Sequence, residues 1–226
     1  MVVHKADLNT SELRRIKARK IEVLLERPVA GADLLDLGAG SGHLASYFME
    51  QGAKVVAADA DGYRYASSAP FHEIKGSELP FADKSFDIVI LNHVLEHVGD
   101  RPAQKQILAE ISRILRPGGT LYLGVPNKWE PIEAHYKLPF LGALPKGLAD
   151  FLVRTVRKQP EYDCYPLSGR ELHSMVSERF GSVVDKTSEA YDWVVENELS
   201  GAKQAIFRRL PMPRPIVPSF ILLAKP

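Results

Sequence analysis

Apolar residues first recur at near-helical spacing, then gather into short unbroken runs that alternate with further helical patterns. Leu13, Ile16, Ile21, Leu24 and Leu25 make one stripe that Pro28 ends, with Thr10 or Ser11 to cap it, so residues 1–30 hold an amphipathic N-terminal helix. The pattern then predicts strand 33–37, helix 42–51, strand 54–59, a short helix near 62–68, strand 71–74, strand 86–91, helix 102–115 and strand 119–125. Strands alternating with helices build a parallel sheet covered on both faces. The runs LLDL, KVVAAD, FDIVIL and TLYLGV are apolar throughout, as strands buried on both faces must be.

After Val125 the periodicity is lost in PNKWEPIEAHYKLPFLGALPKG, where prolines and aromatics interleave, and this reads as a long structured loop. Helices at about 147–157 and 169–179 follow, the second capped by Ser168. A strand at 182–187, a helical stretch near 197–209, a Pro-rich turn at 211–218 and a strand at 219–224 complete the chain, with no internal repeat.

Composition narrows the class. A chain of 226 residues with 45% apolar and 25% charged residues is an ordinary globular protein, expected to be a single domain over 1–226. The 29 basic and 28 acidic side chains leave a net charge of +1, so no global field draws the chain to nucleic acid. Cys164 is the one cysteine, which excludes an internal disulfide and a thiolate cluster. Neither a signal peptide nor an apolar run of membrane-spanning length is present, and a cytoplasmic protein is expected.

Candidate chemistry starts at LLDLGAGSGHLA, a buried strand followed by Gly38, Gly40 and Gly42 and then a helix. Such glycines let backbone N–H groups and a helix N-terminus approach a ligand closely. The spacing G-x-G-x-G departs from both the dinucleotide fingerprint and the P-loop. Asp59 ends the second strand, where a carboxylate can accept hydrogen bonds from both ribose hydroxyls. Asp36, across the loop, suits a ligand bearing an ammonium group and does not suit a phosphate, which weighs against an NAD-dependent oxidoreductase.

These residues resemble the class I S-adenosylmethionine-dependent methyltransferases, and within them the small-molecule branch that includes the ubiquinone and menaquinone methyltransferases. LLDLGAGSG resembles the first family motif and VVAAD the ribose-binding strand; GSELPFADKSFDIVILNHVLEHVGD resembles the third and fourth, and LRPGGTLYLGVPN the turn into the fifth strand. The resemblance implies a Rossmann-like α/β three-layer sandwich with a seven-stranded, mostly parallel sheet whose last strand, PSFILLAKP, runs antiparallel. It implies S-adenosylmethionine as cofactor, its methionine part lined by Gly38, Ala39, Gly40 and Gly42 with Asp36 near the amino group. By the same resemblance Asp59 holds the ribose, Ala60 lies beside the adenine, Ser77, Glu78 and Leu79 form the adenine-contacting segment, and Asn92 and His93 face the methionine end. Family sequences usually carry an Asp just before the Glu-Leu-Pro-Phe-like run, where this chain has Lys75, Gly76 and Ser77. A non-catalytic methyltransferase-like module is the alternative that this departure leaves open.

Methyl transfer is an in-line displacement that depends largely on positioning, and an oxygen acceptor gains from a general base, for which His is suited near neutral pH. His93, at the end of the fourth strand, and His135, in EPIEAHYKLPF, are the candidate catalytic residues, with Glu133 as a partner for His135 or as a pin for the loop. His97 is expected to be structural. Glu133 and His135, with no third ligand nearby, define no coordination shell, so no metal is expected. Residues 128–165 are expected to be an insertion on the substrate side. Its apolar residues, with six basic against three acidic side chains over 128–159, fit a lid, a cap packed on the core, or a surface that lies against a membrane. The expected reaction is O-methylation of a small-molecule, glycan or lipid-linked acceptor.

Overall fold

In the computed structural model, which describes residues 10–209, 212, 215 and 217–226, seven strands form one sheet in the order β3-β2-β1-β4-β5-β7-β6. In chain order the elements are α1 (Thr10–Leu24), β1 (Asp33–Leu37), α2 (His43–Glu50), β2 (Lys54–Asp59), β3 (Phe71–Glu73), β4 (Phe86–Asn92), α3 (Arg101–Ile114) and β5 (Leu115–Pro126). Then come α4 (Lys146–Leu152), α5 (Gly169–Ser177), β6 (Ser182–Asp185), α6 (Thr187–Asn197), α7 (Gly201–Phe207) and β7 (Ser219–Lys225). Strands β1 to β5 pair in parallel, and β7 runs antiparallel to both β5 and β6.

The unbroken apolar runs work as expected, because alternate residues of each central strand feed opposite layers. Leu35, Val89, Leu91 and Leu123 meet Ile107, Ile111, Leu172 and Val176 of α3 and α5. Leu34, Ile88, Ile90 and Tyr122 meet Ile21 and Leu24 of α1, Phe48 of α2 and Ala190 of α6. The insertion has its own cluster of Leu141, Ala149, Val153, Tyr162 and Cys164, and leaves Trp129, Ile132, Phe140, Phe151 and Val156 exposed. No helix among the described residues is long and apolar enough to cross a membrane.

Three elements differ from the sequence expectation. The short helix near 62–68 is an irregular segment, its Ala66 N–H drawn 3.3 Å to the Ser41 carbonyl of the glycine loop instead of to a helical partner. The helical stretch near 197–209 is α7, Gly201–Phe207, and a further helix, α6, precedes it, starting at Thr187 right after β6. Its Tyr191, Trp193, Val194 and Val195 are weak helix formers, and only Thr187, Ala190 and Val195 are buried, so no stripe is visible in the sequence. β5 begins at Leu115, which pairs with Phe86 across an irregular register, earlier than the apolar run shows. Ser168 caps α5 as expected, in a capping box with Glu171. Thr10 and Ser11, the expected caps of α1, are its first two residues, and half of the Pro-rich turn at 211–218 lies outside the described residues.

Candidate functional site

The C-terminal ends of β1, β2 and β4 converge on the glycine loop, as ligand sites of open parallel sheets do. Gly38 leaves β1 with φ +80°, and a Cβ there would sit 2.2 Å from Cγ2 of Val94, on the turn after β4. Gly42 also has φ +80°, and its Cβ would meet Cβ of Ser67 at 2.7 Å. Both glycines are therefore required by backbone hand and by space. The Gly38 and Ala39 N–H groups donate to the Ala58 carbonyl, at 2.7 and 3.2 Å, which ties the loop to β2.

Two carboxylates frame this loop. Asp59 accepts from the Gly40 N–H at 2.7 Å and from the Ala60 N–H at 2.6 Å, one on each oxygen, leaving a lone pair on each for further donors. Asp36 is buried and accepts one hydrogen bond, from the Ala45 N–H in the first turn of α2 at 3.0 Å. Burial pushes its pKa up to about 7, the Ala45 N–H opposing the rise and the Asp59 charge adding to it. A cationic group would relieve both causes.

The segment after β3 is held from outside the loop. Leu79 is buried, its N–H donating to Glu110 at 3.0 Å and its carbonyl accepting from Arg113 at 3.1 Å. Its backbone is thus committed to α3, while Ser77 is half-buried and Glu78 exposed. Asn92 pairs with Gly124 of β5, and a Cβ on that glycine would meet Asn92 Oδ1 at 2.4 Å, so the Asn92 amide lies against the β5 backbone.

Beyond Asn92 the chain turns sharply. His93 has φ +57°, a left-handed conformation rare for a residue with a side chain, and its N–H donates to the Gly124 carbonyl at 2.8 Å. Its Nε2 lies 3.5 Å from Ser219 Oγ and its Nδ1 3.8 Å from Glu96 Oε1. Burial, opposed by Glu96, holds the imidazole below its ordinary pKa.

Glu96, on the 3-10 turn Leu95–His97, is fully buried, and neither carboxylate oxygen has a hydrogen-bond partner among the described residues. His135 Nε2 approaches its Oε1 at 3.4 Å and His97 Nε2 at 4.0 Å. The Glu96 carboxylate is the main reason that His135 titrates above an ordinary imidazole, against the effect of burial. Glu133 has a different role. It is buried and accepts from the backbone N–H groups of His135 at 2.9 Å and Tyr136 at 2.5 Å, pinning the loop, so the acid facing the His135 ring is Glu96.

The insertion also returns to this turn. The Tyr165 N–H donates to the Glu96 carbonyl at 2.7 Å, and Cys164 Sγ lies 3.8 Å from His97 Nδ1. Burial, with the Asp163 and Glu133 charges, pushes the Cys164 thiol up. His97 and Cys164 thus stand together with His135, while Glu133 is not part of the group. Beside them a cleft of about 300 Å³ is bordered by Arg101, Lys128, Lys146, Tyr162, Cys164 and Tyr165. A larger shallow depression, about 630 Å³, includes Asp33, Lys54 and Arg116 at the opposite ends of the strands, far from this chemistry.

Comparison with known proteins gives a consistent picture. Residues 35–123 match a family model described as "Methyltransferase domain". An uncharacterized methyltransferase of Mycobacterium marinum is 36% identical over 122 residues, covering 48% of this chain and 47% of that protein. A demethylmenaquinone methyltransferase of Beutenbergia cavernae is 32% identical over 158 residues, covering 62% of this chain and 64% of that protein. The chain thus spans about half the length of the first of these relatives, and somewhat under two thirds of the second. A crystal structure of an S-adenosylmethionine-dependent methyltransferase from Mesorhizobium loti shares the fold, with TM-score 0.62 and 14% identity over 93% of this chain and 98% of that one.

Proposed function

We propose that this chain, whose residues 35–123 match a methyltransferase-domain family model, binds S-adenosylmethionine and transfers its methyl group to an oxygen of a small-molecule, glycan or lipid-linked acceptor. The observation that carries the reading is Asp36, a buried carboxylate with one hydrogen bond and its pKa raised to about 7, at the head of a glycine loop. A phosphate there would add negative charge to negative charge. The amino group of an amino-acid cofactor supplies the missing cation.

When bound, the cofactor supplies an electrophilic methyl on a sulfonium, which leaves as a neutral thioether. The protein's task is then to position the two reactants and exclude water. Gly38, Gly40 and Gly42 bring backbone close to the methionine part, Asp36 holds its ammonium, and Asp59 accepts from the ribose hydroxyls on its free lone pairs. His93 accepts the acceptor's proton: its lowered pKa keeps the imidazole neutral near pH 7, the state a base needs. His135, 3.4 Å from Glu96 on the same rim, is placed to orient the acceptor.

Calorimetric titration with S-adenosylhomocysteine tests the cofactor. Saturable binding that Asp59→Ala weakens at least about tenfold, the loss of one charge-assisted hydrogen bond, supports it. Absence of binding by folded wild type, or binding of NADH in its place, overturns it. Once an acceptor is found, His93→Gln should lower kcat by ~100-fold or more with cofactor affinity unchanged.

A further inference from the structure

His97, His135 and Cys164 come from three separate stretches, the turn after β4 and the two ends of the insertion. One potential ligand atom from each lies within 4.8 Å of the others. The His97 Nδ1 to Cys164 Sγ separation of 3.8 Å is already that of two ligands of a tetrahedral ion, for which bonds of about 2.0–2.3 Å give edges of about 3.3–3.8 Å.

A second observation is independent of those three side chains. The Glu96 carboxylate is fully buried with no hydrogen-bond donor on either oxygen, and its Oε1 points toward the imidazoles of His135 and His97 at 3.4 and 4.0 Å. A carboxylate buried without donors is costly unless a cation compensates it. Asp163 borders the same group from the solvent side, with Oδ2 3.7 Å from His97 Nδ1 and Oδ1 3.5 Å from Cys164 Sγ.

We propose that His97, His135 and Cys164 bind one divalent ion of the zinc class, with Glu96 beneath it and Asp163 beside it as its charge partners. Two imidazoles and a sulfur are a borderline-soft set that suits Zn²⁺, whereas Mg²⁺ and Ca²⁺ require oxygens. A thiolate and two carboxylates carry three negative charges, which the ion's two positive charges largely offset. Three protein ligands leave a fourth position, for water or an oxygen of the acceptor. The ion would clasp the insertion to the turn that carries His93.

This inference does not depend on the methyltransferase reading, and its test needs no turnover. The full chain, stripped with a chelator and freed of it, is titrated with Zn²⁺ against a chromogenic competitor and separately with Co²⁺. The expected result is one equivalent per chain, and with Co²⁺ a thiolate-to-metal absorption band in the near ultraviolet. Cys164→Ser should abolish that band, and His135→Gln, on the half-exposed loop, should weaken Zn²⁺ binding at least about tenfold, the lower range for loss of a supporting partner. Circular dichroism confirms that each variant is folded. Failure of folded wild type to bind one equivalent, affinity unchanged in His135→Gln, or bound Co²⁺ without the thiolate band overturns the site.

Discussion

His135 reaches from the insertion to within 3.4 Å of Glu96, a carboxylate that is fully buried on the turn after β4. The contact joins two segments that both border the C-terminal end of the sheet, so the insertion's position and the electrostatics of the β4 turn are coupled. The Tyr165 N–H to Glu96 carbonyl bond repeats the connection through the backbone.

Glu133 fixes the geometry of that reach. Glu133→Ala removes the acceptor for the His135 and Tyr136 N–H groups, one of them at 2.5 Å, and should cost about 2–3 kcal/mol in docking of the insertion. Hydrogen exchange read by mass spectrometry should show faster exchange over residues 133–138, with the β1 and β4 strands unchanged. Glu133→Gln keeps one acceptor oxygen and should be milder. Equal exchange in wild type and Glu133→Ala would show that the clamp does not hold the loop.

The raised pKa of Asp36 gives two pH dependences with defined signs. Between the unfolded value of 3.8 and the folded value of about 7, the folded state binds the proton that the unfolded state has released. This group's contribution therefore makes stability fall as pH rises through that window. Asp36→Asn should flatten that part of the profile in denaturant titrations at pH 4.5, 6 and 7.5. An ammonium ligand requires the ionised carboxylate, so affinity for S-adenosylhomocysteine should rise from pH 6 to pH 8 in wild type. In the Asn variant it should be weak and nearly independent of pH, and a rise of the same size there would remove Asp36 from the explanation.

Gly38 and Gly40 separate two costs of a side chain. At Gly38 a Cβ meets both the left-handed backbone and Val94 Cγ2 at 2.2 Å, whereas at Gly40, φ +53°, nothing lies within 4 Å. Gly38→Ala should lose about 2–4 kcal/mol in urea unfolding and Gly40→Ala about 1 kcal/mol, the backbone contribution alone. Combining Gly38→Ala with Val94→Ala should recover the steric part. If Gly38→Ala is no worse than Gly40→Ala, the Val94 contact does not restrict the loop.

Tyr122 is buried in the middle of β5 with no partner for its hydroxyl among the described residues. Tyr122→Phe keeps the ring packed against α1 and α2 and removes a polar atom that was desolvated without return. Its Tm should equal or exceed that of wild type. A fall of several degrees would reveal a hydrogen bond to the hydroxyl.

Much of this protein can be read from its sequence because the relevant signals are local. Strands buried on both faces must be apolar throughout, so LLDL, KVVAAD, FDIVIL and TLYLGV place the central sheet, and the glycines after LLDL mark a turn that only glycine fits. Ser168 is visible as a cap because its partner Glu171 is three residues on. What is decided by tertiary structure is which side chains meet across long stretches of chain. Helix α6 forms from residues with weak helical preference because Ala190 is buried against α1 and the sheet. Glu133 lies nearer to His135 in sequence than Glu96 does, yet it turns to the backbone while Glu96 meets the ring, because one sits inside the loop and the other on the turn beneath it. Cys164, in the sequence only a lone cysteine, stands beside His97 because the insertion folds back onto the end of β4, a closure that the spacing of ligands along the chain does not encode.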